Sequence, residues 1–263
     1  MLLRNKFWLW GHPEGRYNNE YGNNKASRMT PMEGCLYLGV ENTFMVPVQW
    51  DVNERQYCKS FKTLKQVGWG YKLHEKDHCR FNKILDIARE FPNVKCIALD
   101  DFSDTIQAES EICYDEVKEL QHLLDNNDVR KLDSWMVVYT KDIGVDKEYD
   151  TRLRPYYDLV DGVIMWTWEE KHVDLIPEKF EVFKKLTPNT RRMAGCYLYN
   201  FGEKKQATGE KVKWQLDWWR ERLLNGEIEG VVLHTNTMAD LDYEAYDVAC
   251  EWMQKYGDEE IPD

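Results

Sequence analysis

Short apolar runs alternate with amphipathic stretches along the whole of this chain, and that alternation most constrains its fold. The runs predict eight strands, at residues 7–10, 35–40, 67–73, 94–99, 135–139, 162–166, 193–199 and 230–233. Apolar residues recur at helical spacing in stretches between and after them, at 81–91, 114–124, 212–224 and 243–256. A strand–helix unit repeated eight times predicts an α/β protein, a single (β/α)₈ TIM barrel spanning residues 1–263.

An open, doubly wound sheet is the competing α/β architecture. Dinucleotide- and phosphate-binding versions of that sheet carry a glycine-rich turn after a strand. No GxGxxG or GxxxxGK[ST] pattern follows any predicted strand here. The length of 263 residues suits either one barrel or two small domains, and the chain contains no linker-like stretch. The closed barrel is therefore the favoured prediction.

Composition narrows the classes of partner. A formal charge of -12 argues against a nucleic-acid or anionic-membrane partner. No apolar run approaches the roughly 20 residues that span a bilayer, so we expect no membrane span. Residues 1–6 are too short and too charged for a signal peptide. A cytoplasmic protein and a mature exported form are both compatible with this.

The seven cysteines lack CxxC spacing, which predicts reduced thiols.

Two adjacent acids end the fourth apolar run. Asp100 and Asp101 follow Leu99 directly, and Asp104 is close behind. Parallel strands present ligand sites at their carboxyl ends, and two neighbouring carboxylates there should raise at least one pKa. A turn after Leu99 should free both acids from the alternation of a strand. A helix N-cap is the ordinary alternative, but a cap needs only one acid.

Residues that follow the other strands should join this acid pair on one face of a barrel. Amides and carboxylates bond hydroxyl groups and aromatic rings cover C–H surfaces, so the mixture suits a neutral polyhydroxylated ligand. Some members also have ordinary explanations, such as core packing or a loop hydrogen bond. The predicted substrate-binding residues are His12, Arg16, Glu41, Asn42, Lys72, Tyr139, Trp166, Trp168, Glu169, Tyr197, Tyr199, Asn200, His234 and Asn236.

A metal site is the main alternative chemistry at these strand ends. His12, His74 and His234 follow the first, third and eighth runs and could converge with the acids. However, the first strand carries no HxH and no helix carries HExxH. We therefore expect no metal and no other cofactor. A metal-dependent sugar isomerase or hydrolase remains one alternative, and a non-catalytic glycan-binding barrel is another.

Three segments resemble a known family of barrel glycosidases. Leu99-Asp100-Asp101-Phe102 resembles the adjacent-acid motif of the substrate-assisted N-acetylhexosaminidases, the family of O-GlcNAc hydrolases and bacterial hyaluronidase-like enzymes. Residues 165–168 (MWTW) and 197–200 (YLYN) are loosely similar to that family's later strand ends. The resemblance implies that Asp100 orients the substrate's acetamido group and that Asp101 protonates the leaving oxygen. The fifth run, residues 135–139, lacks the proline-containing segment of that family.

These observations together predict a glycoside hydrolase whose partner is a carbohydrate substrate. Asp100 and Asp101 are the predicted catalytic residues. Either the substrate's own acetamido group attacks, or a second carboxylate acts as nucleophile or base, and Glu41 and Glu169 are candidates for that role.

Overall fold

A computed structural model describes residues 1–47, 51–73, 79–102 and 112–261 of this chain. Parallel strands in these residues close into one barrel in which each strand pairs with its sequence neighbours and the last pairs with the first. This confirms the predicted (β/α)₈ barrel. The strands are β1 Phe7–Gly11, β2 Asn42–Met45, β3 Gln66–Tyr71, β4 Val94–Leu99, β5 Asp133–Tyr139, β6 Gly162–Trp166, β7 Arg191–Tyr197 and β8 Gly230–His234.

Helices cover the outside of the barrel, and the amphipathic stretches of the sequence fall within them. In the described residues they are α1 Pro31–Leu38, α2 Glu54–Ser60, α3 Cys79–Glu90, α4 Ile112–Asp125, α5 Lys147–Tyr157, α6 Ile176–Leu186, α7 Gly209–Leu224 and α8 Glu244–Tyr256. A short antiparallel ribbon pairs Tyr199–Asn200 with Lys205–Gln206. None of the helices described is long and apolar enough to cross a bilayer.

The second predicted strand, 35–40, is wrong, because that segment belongs to helix α1 and the turn after it. Thr30 caps the helix by accepting a hydrogen bond from the Glu33 amide, while the Glu33 carboxylate accepts one from the Thr30 amide at 2.8 Å. Gly39 ends it with φ 68°, a left-handed conformation that favours glycine. A capping box and a glycine stop therefore outweigh the apolar run. Strand β2 begins only at Asn42.

Large aromatic side chains fill the inside of the barrel, and glycines on neighbouring strands make room for them. A Cβ on Gly195 would overlap the ring of Trp166, and one on Gly162 would overlap the ring of Trp135. Both rings are almost fully buried. The barrel is therefore a packed core, and a ligand can reach only its ends.

Candidate functional site

The acid pair lies at the carboxyl end of β4, and a turn brings both carboxylates to the same side. Cys96 and Ala98 point into the barrel, and Asp100 continues that alternation toward the axis. Asp101 follows with φ 48°, outside the strand conformation. Its carboxylate accepts a hydrogen bond from the Tyr139 hydroxyl at 2.6 Å, and its amide donates to Asp100 Oδ1 at 3.1 Å. The turn therefore gathers two acids and a phenol at one point.

Burial and neighbouring charges shift the pKa values of Asp100 and of the tyrosines beside it. Burial, followed by the neighbouring charge of Asp101, raises the pKa of Asp100 to about 7. Burial also raises the pKa of Tyr139 and of Tyr197 well above the ordinary tyrosine value, with the two aspartates contributing further. Both phenols are consequently neutral hydrogen-bonding groups. The carboxyl of Asp100 therefore has a pKa near neutrality.

Aromatic rings form a wall beside the acid pair. The half-exposed Trp168 packs edge-on against Tyr139 and Tyr197, with ring centroids 6.3 and 5.5 Å apart. Phe201 stacks on Trp168 at 6.0 Å. Trp166 lies beneath, 4.7 Å from the Tyr197 ring. Such a wall can cover the C–H face of a sugar ring next to acids that handle protons.

Two neutral histidines meet at the carboxyl ends of β1 and β8, where the His234 ring lies 4.9 Å from Tyr197 and 4.8 Å from Phe201 of the aromatic wall. His12 Nδ1 lies 2.6 Å from the Val46 carbonyl oxygen, and His12 Nε2 lies 3.3 Å from His234 Nε2. Burial lowers the pKa of His12 to about 3, and burial, His12 and Arg16 together lower that of His234 well below its usual value. The Tyr17 hydroxyl is 3.2 Å from His12 Nε2. This cluster therefore stays uncharged throughout the physiological pH range.

Arg16 lies in the loop after β1. Among the described residues, it is the one positively charged residue of the predicted site whose side chain is mostly buried. Arg16 Nη1 pairs with Glu20 at 2.5 Å, and its guanidinium lies 4.3 Å from the centre of the Tyr17 ring. Its side chain is 18% exposed. The ring of Tyr21, further along the loop, packs edge-on against Trp168 at 6.3 Å. The loop thus contacts the aromatic wall through Tyr21.

The sequence places Tyr17 among the residues that follow the first strand, but the other two aromatic residues of this face, Tyr21 and Phe201, are not predicted. Tyr17 and Tyr21 lie in the loop after β1, and Phe201 lies in the loop after β7. Their position beyond strand ends was the available signal. The distance of several residues from the strand is what obscured it.

The prediction of Glu41 and Asn42 as site residues is wrong, because they lie at the amino end of β2. Glu41 pairs with Lys65 and accepts a hydrogen bond from the Asn5 side chain. Asn42 is buried and donates to the Phe7 carbonyl at 3.0 Å. Both belong to the opposite end of the barrel. The error follows from the misplaced second strand.

Three other predicted residues lie at the carboxyl end of the barrel, where their side chains form hydrogen bonds within and between the loops. The Tyr199 hydroxyl donates to a backbone carbonyl of the loop after β1 at 3.0 Å. The Asn200 side chain donates to Glu203 at 2.6 Å. Asn236 accepts from the His12 amide at 2.8 Å and donates to the His12 carbonyl at 3.0 Å. These contacts brace the loops that carry the site.

The remaining predicted residues lie on the rim. Glu169 follows β6 and is paired with Lys171 at 2.8 Å and His172 at 3.2 Å. Lys72 follows β3 and is exposed. His74 and Asp104 lie outside the described residues. Within residues 1–47, 51–73, 79–102 and 112–261, no three His, Cys, Asp or Glu side chains come together as a metal-binding group.

Comparison with solved structures agrees with the barrel. The chain is similar to active domain 2 of a thermostable chitinase from Pyrococcus furiosus, studied as catalytic-site mutants with chito-oligosaccharides, with a TM-score of 0.58, 11% identity and 96% of each chain covered. It is also similar to a catalytic domain of a hyperthermophilic chitinase from that organism (TM-score 0.57, 12% identity, 95% of this chain and 96% of that chain).

A tryptophan synthase α-subunit mutant from Pyrococcus furiosus is similar in the same way, with a TM-score of 0.55, 11% identity, and 97% of this chain and 99% of that chain covered. No protein-family model matches the sequence. No curated protein matches it either. At these identities the likeness shows the fold alone, and two different chemistries share that fold.

Proposed function

We propose that this protein is a glycoside hydrolase whose acid pair, Asp100 and Asp101, supplies the general acid. The observation that carries the proposal is the pair itself: two neighbouring carboxyls at the carboxyl end of β4 beside an aromatic wall, with the Tyr139 hydroxyl bonded to Asp101 and the pKa of Asp100 raised by burial. A carboxyl with a pKa near the working pH is suited to protonate a leaving group. The fold shared with chitinase domains is consistent with this activity.

The two acids have different positions, which supports different roles. Asp100 is half-buried and points toward the barrel axis, whereas Asp101 is exposed at the rim. In the proposed reaction the exposed Asp101 protonates the glycosidic oxygen of a sugar bound in the barrel mouth. Asp100 lies deeper, and a substrate N–H or O–H that binds it would favour its ionised form.

Both acids come from one strand end and therefore lie on one side of the scissile bond. A nucleophile must approach the sugar from the other side. Glu41 is at the far end of the barrel, and Glu169 is engaged by Lys171 and His172. With neither of these two candidates placed as a nucleophile in the described part of the chain, we propose attack by the substrate's own 2-acetamido group, as the sequence resemblance implies. Asp100 would then orient that acetamido group.

A panel of aryl glycosides tests the proposal. We expect turnover of 2-acetamido sugars in preference to their 2-hydroxy counterparts, and loss of that turnover in Asp101→Asn. Glu41→Gln is the matched control, since it removes an acid at the opposite end of the same barrel. Saccharide binding without turnover would instead indicate a glycan-binding barrel, and activity that a chelator abolishes would indicate a metal-dependent enzyme.

A further inference from the structure

The loop after β1 holds three non-glycine residues in the left-handed backbone region. Tyr17 has φ 70°, Asn19 has φ 59° and Tyr21 has φ 50°. Such conformations are unfavourable for residues other than glycine and persist only where the surroundings fix them. Here the Asn23 side chain donates to the Tyr17 carbonyl at 3.1 Å, and the Tyr199 hydroxyl donates to the Tyr21 carbonyl at 3.0 Å. Strain of this kind concentrates at functional sites, which directs attention to the side chains it positions.

The strained loop places the Tyr17 hydroxyl beside His12 and packs the Tyr17 ring against Phe201 of the aromatic wall, with centroids 4.8 Å apart. The hydroxyl is 3.2 Å from His12 Nε2, and the Tyr17 ring packs against His234 with centroids 5.7 Å apart. Burial raises the pKa of Tyr17 above its ordinary value, and the charges of Asp100 and Asp101 raise it further. The phenol is therefore neutral and lies within the electrostatic reach of both acids.

The hydrogen bonds around His12 leave the Tyr17 hydroxyl able to donate its proton to another acceptor. The Val46 carbonyl can only accept, so His12 Nδ1 donates to it and the neutral ring keeps one lone pair, on Nε2. Two donors face that lone pair: the Tyr17 hydroxyl at 3.2 Å and His234 Nε2 at 3.3 Å. A proton on His234 Nε2 is required, since otherwise two lone pairs would oppose each other. The imidazole N–H is fixed in direction, whereas the phenol O–H can rotate.

We propose that Tyr17 is a substrate-positioning residue whose hydroxyl donates a hydrogen bond to an oxygen of the bound saccharide beside the acid pair. His234 alone satisfies His12 when the hydroxyl turns to the ligand. The identity of the ligand rests on the glycosidase activity proposed above. The function of the strained loop is then to hold this donor at the acid pair.

Tyr17→Phe tests the proposal because it keeps the ring and removes only the hydroxyl. We expect kcat on a glycoside to fall about tenfold, the effect of losing one hydrogen bond. The thermal unfolding midpoint should stay at the wild-type value, because His234 still donates to His12. Tyr243→Phe is the matched control: its hydroxyl donates to Asn23 Oδ1 at 2.7 Å and braces the same loop. That variant should lower the midpoint and leave kcat of the folded protein near wild type.

Imidazole ¹⁵N shifts of the free protein add a readout that needs no substrate. In Tyr17→Phe, His12 Nε2 should remain an unprotonated, hydrogen-bonded nitrogen. Loss of that hydrogen bond, or a fall in midpoint as large as that of Tyr243→Phe with kcat unchanged, would show a structural hydroxyl and overturn the proposal.

Failure of the glycosidase proposal is distinguishable from failure of this one. If the wild type cleaves no glycoside, chito-oligosaccharide binding by calorimetry replaces kcat, and Tyr17→Phe should weaken binding about tenfold. Equal binding by the two proteins would overturn the role of Tyr17 alone. Absence of any saccharide binding would overturn both proposals.

Discussion

Replacing Asp100 by asparagine should stabilise the protein above neutral pH. The side chain keeps its shape and its Oδ1 acceptor for the Asp101 amide, but it can no longer be ionised. In the wild type, burial and the charge of Asp101 raise the pKa of this carboxyl from 3.8 to about 7. The folded protein therefore binds the proton more tightly than the unfolded chain does. Stability from that proton is complete below about pH 4 and is lost as pH rises through about 7.

The magnitude follows from the interval between the two pKa values. At about 1.4 kcal/mol per pH unit, the interval corresponds to about 4 kcal/mol. Asp100 is only half-buried, and solvent offsets part of the cost of its ionisation, so we expect about 2–4 kcal/mol. The free energies of unfolding of Asp100→Asn and wild type should thus be similar at pH 4. The variant should exceed the wild type by that amount at pH 8.

Urea denaturation followed by tryptophan fluorescence at pH 4, 6 and 8 measures this difference. Asp240→Asn is the control, since it removes one exposed acid elsewhere in the chain. The control should show no comparable change with pH. A stability difference between Asp100→Asn and wild type that is the same at pH 4 and pH 8 would refute the raised pKa of Asp100.

Three further changes test other parts of the description. Asp101→Asn removes a neighbouring charge and should lower the pKa of Asp100, seen as a downward shift in the ¹³C titration of its carboxyl; an unchanged midpoint would contradict their coupling. Gly195→Ala places a methyl group against the Trp166 ring and should destabilise the fold by about 1–3 kcal/mol in the same urea assay, and a neutral result would contradict the tight packing of the barrel. Glu41→Gln should leave kcat unchanged, and a large loss would return that residue to the site.

The barrel could be predicted from the sequence because each strand–helix unit is local. A run such as 135–139 is apolar on both faces, as a strand buried between core and helices must be. The second strand was misplaced because residues 35–40 are apolar as well, and periodicity over so few residues does not separate a strand from a buried helix. The Thr30–Glu33 capping box and Gly39 contained the missing information.

The site could be predicted only in part. The acid pair, Tyr139 and Trp168 follow strands directly, so knowledge of the barrel suffices to bring them to one face. Tyr17 comes from the middle of a long loop, and its placement depends on backbone strain that no local pattern specifies. The tautomer of His12 depends on a carbonyl 34 residues away in the chain. Such contacts exist only once the barrel has closed.

The leaving-group dependence of hydrolysis tests the central claim, protonation of a glycosidic oxygen by the acid pair, most directly. Proton donation typically contributes about 10²- to 10⁴-fold in rate, so Asp101→Asn should lower turnover of a glycoside with a poor leaving group by that factor. A dinitrophenyl glycoside needs little protonation and should be affected far less. Asp100→Asn should depress both substrates alike, because orientation matters whatever the leaving group. Unchanged turnover of the poor-leaving-group glycoside by Asp101→Asn would contradict the account.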